Sequence, residues 1–440
     1  MLPGISSDPA VAQLQMGQVA HRVVAGIVAA ILLVITGVVW RLVRRGRITG
    51  SPPPGGEALL GLVGTATALY AVQVVVGALQ IWTTLAPWAV TLHLALGAVI
   101  WSLLVGAALT SWYAARTADE PGIAGPGSRQ GSEEMVTTGA PPTRRERLSA
   151  YVALTKPRII ELLLVTTLPA MVLAWRTVDG LDPARFALLA FWTLLGGSLA
   201  AGAANAINCY LDRDIDQLMV RTRRRPLPAH AVEPEDALVF GLVLSVISFA
   251  LLAVTTNLVA AFLTLLAIAF YVVVYTMLLK RSTPHNIVLG GAAGALPPVI
   301  GWAAVTGDIT LPAALLFAVV FYWTPPHFWA LSLRIRGDYA LAGVPMLPVT
   351  HGVAETTRQI ALYSILMVAL TLVFFAVAHM GLVFLAGALV LGGLFLFQAL
   401  AMWRDGTDRR AVRLYKYSIS YLTGLFALIV VDVAFFVPPG

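Results

Sequence analysis

The chain has 440 residues, 58% of them hydrophobic and only 12% charged, and its mean hydropathy is +0.83. Soluble domains carry about one charged residue in four, so this composition excludes a soluble globular protein. The net charge of +7 does not point to nucleic acid, because the lysines and arginines are scattered among short polar segments between apolar runs.

In chain order, apolar runs of about 20 residues recur from end to end, each enough to cross a roughly 30 Å hydrocarbon core as a helix. Twelve are expected, near 20–41, 57–80, 89–112, 157–176, 185–209, 237–256, 258–279, 286–305, 311–333, 358–379, 382–403 and 414–436. None shows the alternation of a barrel strand, so the predicted class is an all-α polytopic membrane protein. Three spans fill residues 1–114, a Gly-, Pro-, Ser- and Glu-rich segment over 115–147 reads as a flexible cytoplasmic linker, and nine spans fill 148–440. No basic segment precedes the first run and Arg41, Arg44, Arg45 and Arg47 follow it, so it is expected to be a retained span and not a secretory signal. Alternating the spans from an external N-terminus leaves only Arg22, Arg176 and Arg185 of the 29 basic residues outside. The expectation is a protein of the cell (inner) membrane with both termini external. Cys209, the sole cysteine, rules out an intrachain disulfide, a Cys-rich zinc site and a CxxCH haem attachment.

In the first three spans the informative residues are His21, in "AHRVVAGIV", and His93, in "TLHLALGAVIW". Alternating direction places both near the outer ends of their spans, at one depth. Two imidazoles facing each other across a bundle are an axial pair for a b-type haem, and two packing histidines are the other reading these residues allow. Together with "YAVQVVVGALQIW" these segments resemble the C-terminal half of haem A synthase, over residues 16–112. The resemblance implies haem binding by His21 and His93. Haem A synthesis by this chain alone is not expected, because three helices stand where that half has four and the oxidative half has no counterpart. The module is expected instead to bind haem, to dock a partner that completes the pathway, a haem A synthase or a complementary half of one, or to be a vestige, and a tether would raise the effective concentration of one haem-handling unit near another.

After the fifth span, "AANAINCYLDRDIDQLMVRTRRRPLP" spaces Asn205, Asn208, Asp212 and Asp216 by three, four and four residues. On a helix they share one face, about 6 Å apart per step. Carboxylates at a membrane helix end need counter-ions, a cavity or water. Mg²⁺, a hard cation commonly shared between carboxylates and substrate phosphates, suits such a face and can help an allylic diphosphate ionise. Arg221 and Arg225 lie just beyond, where forked guanidinium donors could grip the same phosphates. A solvated loop whose acids and arginines pair with each other is the alternative.

The order NxxxDxxxD followed by RTxxRP resembles the first aspartate-rich motif of the UbiA-type intramembrane prenyltransferases. So do "TKPRI" (155–159), "YTMLLKRSTPHNIVLGGAAGALPPVIGW" (275–302), "FYWTPPHFWALSL" (321–333) and "DYALAGVPMLPV" (338–349), of which the last two resemble the haem-farnesylating branch, the protoheme IX farnesyltransferases. The resemblance implies a nine-helix bundle around a lipid-facing cavity. It also implies a cytoplasmic mouth for Mg²⁺ and diphosphate, and transfer of farnesyl from farnesyl diphosphate to a vinyl group of haem B. Asn208, Asp212 and Asp216 would hold Mg²⁺ with Asn205 supporting the face, while Arg221, Arg225, Lys156 and Lys280 neutralise phosphate charge. Asp338 would belong to a second acidic motif, in which Ala342 stands where a second carboxylate is common. His327, between "PP" and "FW" at mid-span, is expected to contact haem, with a packing histidine as the alternative. Pro325 and Pro326 suit a cavity wall, and "GGAAGALPP" suits close helix packing. Prenylation of an aromatic or quinone precursor, and non-enzymatic haem carriage, are the competing functions.

Overall fold

The computed structural model describes residues 9–49, 55–82 and 143–435, together with short helical stretches between 92 and 111. Among these residues every regular element is a helix, and ten helices are long and apolar enough to cross a membrane. The third predicted run lies partly, and the predicted linker up to residue 142 wholly, outside the described residues. Two compact units divide the chain, Met1–Gly139 and Ala140–Gly440.

In the first unit, α1 (Pro9–Thr49) and α2 (Gly56–Trp82) lie against each other and bury Leu32, Val39 and Val43 from one and Val63, Ala66 and Val76 from the other. Hydroxyl groups join the two helices where hydrocarbon offers no competing water: Thr36 and Thr67 are 2.8 Å apart, and the Tyr70 hydroxyl donates to the Ala25 carbonyl at 2.8 Å. Past the apolar stretch, Arg47 forks onto Glu57 through two 2.8 Å hydrogen bonds.

The second unit opens earlier than expected, with α3 (Arg144–Leu154) starting inside the segment read as linker. The Thr143 hydroxyl accepts from the Glu146 amide while the Glu146 carboxylate accepts from the Thr143 amide, so two otherwise unpaired N–H groups are satisfied reciprocally. Next come α4 (Pro157–Trp175), α5 (Pro183–Leu218), α6 (Pro234–Thr255) and α7 (Leu258–Ala269), which continues as a π-helix over Phe270–Leu279. They are followed by α8 (Asn286–Thr306), α9 (Leu311–Arg334), the short α10 (Arg336–Leu341) and α11 (Leu347–Thr350), and finally α12 (Gly352–Val377), α13 (Leu382–Asp405) and α14 (Asp408–Phe435). Counting α7 and its continuation as one, nine of these described helices match the nine predicted spans. Proline in the first turn and side-chain caps set the starts: Asp182 accepts the Ala184 and Arg185 amides ahead of α5, and Asn257 accepts the Ala260 amide ahead of α7.

Glycine lets the helices approach closely. A Cβ on Gly241 would stand 3.1 Å from the Ala203 carbonyl oxygen, and one on Gly301 would stand 2.7 Å from that of Thr167, so α5–α6 and α4–α8 meet nearly backbone to backbone. On the other side of the unit, Trp329, Phe374, Phe395, Tyr421 and Phe426 form a continuous buried core contributed by α9, α12, α13 and α14. The buried Asp432 carboxylate at the end of α14 accepts the Gly381 and Phe384 amides and caps α13.

The π-helix changes which side chains can act together. The Thr276 hydroxyl donates to the Tyr271 carbonyl and the Lys280 amide to the Tyr275 carbonyl, both at 2.8 Å and both across five residues. In an α-helix a five-residue step rotates a side chain by about 140° away from its partner. The wider winding instead lets Tyr271, Tyr275, Thr276 and Lys280 all be used on the side that faces α5 and the interior.

Candidate active site

The polar face predicted on α5 forms, and all four of its residues are buried. Its centre is Asp212, which pairs with Lys280 at the end of the π-helix and accepts a 2.7 Å hydrogen bond from the Asn208 amide one turn earlier. The same amide donates to Thr276 at 3.2 Å, while the Asn208 carbonyl oxygen accepts from the Lys156 ammonium at 2.7 Å. Lys156 reaches it from a left-handed backbone position, φ 52°, immediately before α4. Burial lowers the Lys156 pKa from its ordinary value. One turn further along α5, both oxygens of Asp216 accept from Arg225, at 2.9 and 2.7 Å. Burial opposes charge on that guanidinium, yet the Asp216 carboxylate prevails and holds its pKa above the usual arginine value. Asn205 donates to the Thr155 carbonyl at 3.0 Å and so ties the face to the start of α4.

Two predicted members, Lys156 and Asp338, stand apart from the Asp212 and Asp216 pairs. Lys156 contacts the amide Asn208 rather than a carboxylate. Asp338, on α10, accepts a 3.4 Å hydrogen bond from the Arg221 backbone amide, so the second acidic motif meets the loop after α5 and not its carboxylate face. The neighbouring Tyr339 is buried, which pushes its hydroxyl up to about 12. The sequence reading missed Asp214, the partner of Arg281. Arg281 forks onto Asp214 at 2.6 and 2.7 Å, donates to the Leu211 carbonyl at 3.0 Å, and stands 3.8 Å from Asp212. A lone Asp214 on the far side of the NxxxDxxxD stripe carries no periodicity signal that could have flagged it.

The donor set suits a hard divalent cation. One oxygen of Asp212, Oδ1, is buried without a hydrogen-bond partner, whereas Asp216 and Asn208 offer oxygens now occupied by Arg225 and Lys156. No cluster of three His, Cys, Asp or Glu side chains preset for a metal occurs among the described residues, so such an ion would use these oxygens together with those of a substrate.

An apolar cavity of about 310 Å³ adjoins this face. Asn205, Tyr271 and Tyr275 line it on the polar side, the glycines Gly290, Gly291 and Gly294 along α8, and Trp323, His327 and Phe328 on α9. The glycine run therefore does both things: a Cβ on Gly290 would meet the Tyr275 ring at 2.2 Å, and the bare backbone opens the chamber. Pro325 and Pro326 are buried beside it. His327 is wedged between Trp323, with ring centroids 4.2 Å apart, and Tyr415, at 4.9 Å, and its Nδ1 lies 2.6 Å from the Ser418 hydroxyl.

Within the first unit, the rings of His21 and His93 are neighbours, with centroids 6.5 Å apart and planes inclined by 57°. His93 Nδ1 is buried without a hydrogen-bond partner.

Known proteins share this architecture and much of its sequence. The model of the UbiA prenyltransferase family matches residues 163–423. A protoheme IX farnesyltransferase of Roseiflexus castenholzii is 42% identical over 427 residues, 95% of this chain and 76% of that protein, so its likeness extends into the first unit. One from Frankia alni is 53% identical over 288 residues, 65% of this chain and 98% of its own. In fold, the chain resembles the solved structure of a digeranylgeranylglyceryl phosphate synthase, with a TM-score of 0.54 at 18% identity over 66% of this chain and 99% of that one. It also resembles a UbiA homolog from Aeropyrum pernix, at 0.50 and 23% over 63% and 98%. A family match over more than half the chain, and sequence relatives this similar along their length, establish that the chain belongs to the UbiA prenyltransferase family.

Proposed function

We propose that the chain transfers the farnesyl group of farnesyl diphosphate to a vinyl group of haem B, giving haem O. The observation that carries this reading is the adjacency of two chemistries: a buried acidic face held by lysine and arginine, and an apolar chamber that shares Asn205 with it. Diphosphate belongs at the first and an isoprenoid chain in the second. Magnesium bound by Asn208, Asp212 and Asp216 would neutralise charge accumulating on the departing pyrophosphate. With those oxygens on the cation, Lys280 and Arg225 would be available to donate to phosphate oxygens, and Arg221 and Lys156 would extend the same cationic rim. The C1–O bond of the allylic diphosphate breaks and pyrophosphate leaves with its electron pair. The vinyl π electrons of haem B form the new carbon–carbon bond, and water adds to the resulting cation with loss of a proton, leaving a hydroxyethylfarnesyl group. Tyr271, Tyr275 and the glycine-lined wall keep the cation among aromatic and apolar surfaces, away from bulk water. The positive-inside pattern supports a mouth on the cytoplasmic side.

The test is incubation of the full chain with farnesyl diphosphate, Mg²⁺ and either haem B or a hydroxybenzoate, with mass spectrometry of the products. Haem O from the first mixture alone is expected; a prenylated benzoate would select the aromatic reading. Retained haem handling with no product in either would select a carrier.

For the first unit, a b-type haem held between His21 and His93 is our reading. Two iron–nitrogen bonds of about 2 Å, each with about 1 Å more to a ring centre, sum to about 6 Å, close to the observed spacing of 6.5 Å. A low-spin haem spectrum lost in both His21→Ala and His93→Ala is expected, and a spectrum unchanged in both removes the claim. A haem A synthase, or a complementary half of one, is the partner this unit would serve.

A further inference from the structure

His327 is held in a way that fixes where its proton is. The Ser418 hydroxyl has one hydrogen, and it is directed to the Tyr415 carbonyl at 2.6 Å, since a carbonyl oxygen can only accept. With the Ser418 hydrogen on the Tyr415 carbonyl, the 2.6 Å contact between Ser418 Oγ and His327 Nδ1 uses a hydrogen on the ring. A doubly protonated ring would carry an unpaired charge at membrane depth, beside no carboxylate that bonds it, so the ring is the neutral Nδ1–H tautomer. Its Nε2 is left as a lone pair, with no hydrogen-bond partner among the described residues, on a side chain that lines the cavity. Trp323 and Tyr415 clamp the ring faces, and Trp323 Nε1 itself donates to the Ser418 carbonyl at 2.8 Å, so α9 and α14 fix the orientation jointly. An oriented imidazole whose second nitrogen is hydrogen-bonded by an outer partner is the arrangement that prepares a metal ligand.

We propose that His327 Nε2 coordinates the iron of the substrate haem, and that Ser418 is the positioning residue that sets the tautomer which makes this possible. The inference rests on the reading of haem B as acceptor, and it adds that the acceptor is anchored through its metal and not by its porphyrin faces alone. Ligation at the wall of the chamber would bring the ring edge, where the vinyl groups are, over the space assigned to the farnesyl chain.

The test uses the full chain carrying His21→Ala and His93→Ala, so that ligation in the first unit does not contribute, titrated with ferric haem B and in parallel with metal-free protoporphyrin IX. A Soret band characteristic of imidazole ligation is expected. It should be lost in His327→Ala with at least a tenfold drop in haem affinity, and restored by added imidazole. Ser418→Ala should weaken haem binding severalfold and raise the KM for haem more than it lowers kcat, while Ser418→Thr, which keeps the hydroxyl, should recover most of both. Protoporphyrin IX, lacking iron, should bind all variants alike. Equal losses for haem and protoporphyrin, or no response to imidazole, would show that the ring only packs and would overturn the inference. Mass spectrometry separates the two readings. Haem O formation with a Soret band indifferent to His327→Ala refutes the ligand alone, whereas a His327-dependent band without farnesylated product refutes the enzyme.

Discussion

The two units of the chain treat their apolar surface in opposite ways. In the first, the most apolar stretches of α1 and α2 bury only 11% and 17% of their residues, whereas the spanning helices of the second bury between 28% and 61%. The tightest glycine contacts divide the same way, 3.2 Å at Gly55, Gly77 and Gly97 in the first unit against 2.2–2.7 Å at the closest in the second. Gly26, Gly37, Gly61 and Gly64 face open space, while Gly196, Gly241, Gly290 and Gly301 are pressed against neighbours. A helix pair that buries so little is placed by lipid and by a few hydroxyl contacts. A bundle whose helices bury up to 61% of the residues in their apolar stretches tolerates charged side chains inside, because the surrounding packing fixes their partners. Chemistry that needs buried carboxylates belongs in the second kind of unit.

The comparison can be broken or sharpened by substitution. The largest effect should come from Asp212→Asn, which removes charge at the centre of the acidic face. Haem O formation is expected to fall on the order of 10³-fold, about 4 kcal/mol in barrier, with haem binding intact. Normal turnover in that variant would dissolve the site assignment. Next comes Asp214→Ala, which leaves the buried Arg281 guanidinium without its fork and should cost about 3–5 kcal/mol of stability. Asp214→Ala paired with Arg281→Met should recover part of that loss in a chemical unfolding measurement. Gly301→Ala forces a methyl against the Thr167 carbonyl and should cost about 1–3 kcal/mol, seen as a lower Tm. Gly64→Ala, with nothing near, should lie within about 1 kcal/mol of the parent or slightly stabilise it. Equal penalties at the two glycines would erase the contrast between the units. The smallest effect is expected from deleting residues 1–139: the unit Ala140–Gly440 should retain farnesylation within a few-fold.

Much of this was legible in the chain itself. The span count of the second unit follows from the length of its apolar runs, and the shared face of Asn205, Asn208, Asp212 and Asp216 from helical spacing, whereas Arg225, in the turns after α5, was signalled only by its closeness in sequence and the RTxxRP resemblance. The start of α3 could also have been read, since "TRRE" is a reciprocal cap signature, but the polar segment before it drew the boundary inside the helix's first turn and not ahead of it. Other features had no local signal. The π-helix over 270–279 lies in an unbroken apolar run, where hydrophobicity carries no phase, so nothing announces that Tyr271 and Thr276 share a side. Ser418 meets His327 from 91 residues away, and Arg281 meets Asp214 from 67; pairings of that range are set by tertiary packing alone.

The carboxylates of the acidic face are already paired within the chain, Asp212 with Lys280 and Asp216 with Arg225. An incoming anion alone would strand two acids in a water-poor place, and an incoming cation alone would strand two bases. Arrival of both together is an exchange of partners that strands nothing. On the proposed magnesium-diphosphate reading, the mouth would favour the two arriving together over stray phosphate or stray metal.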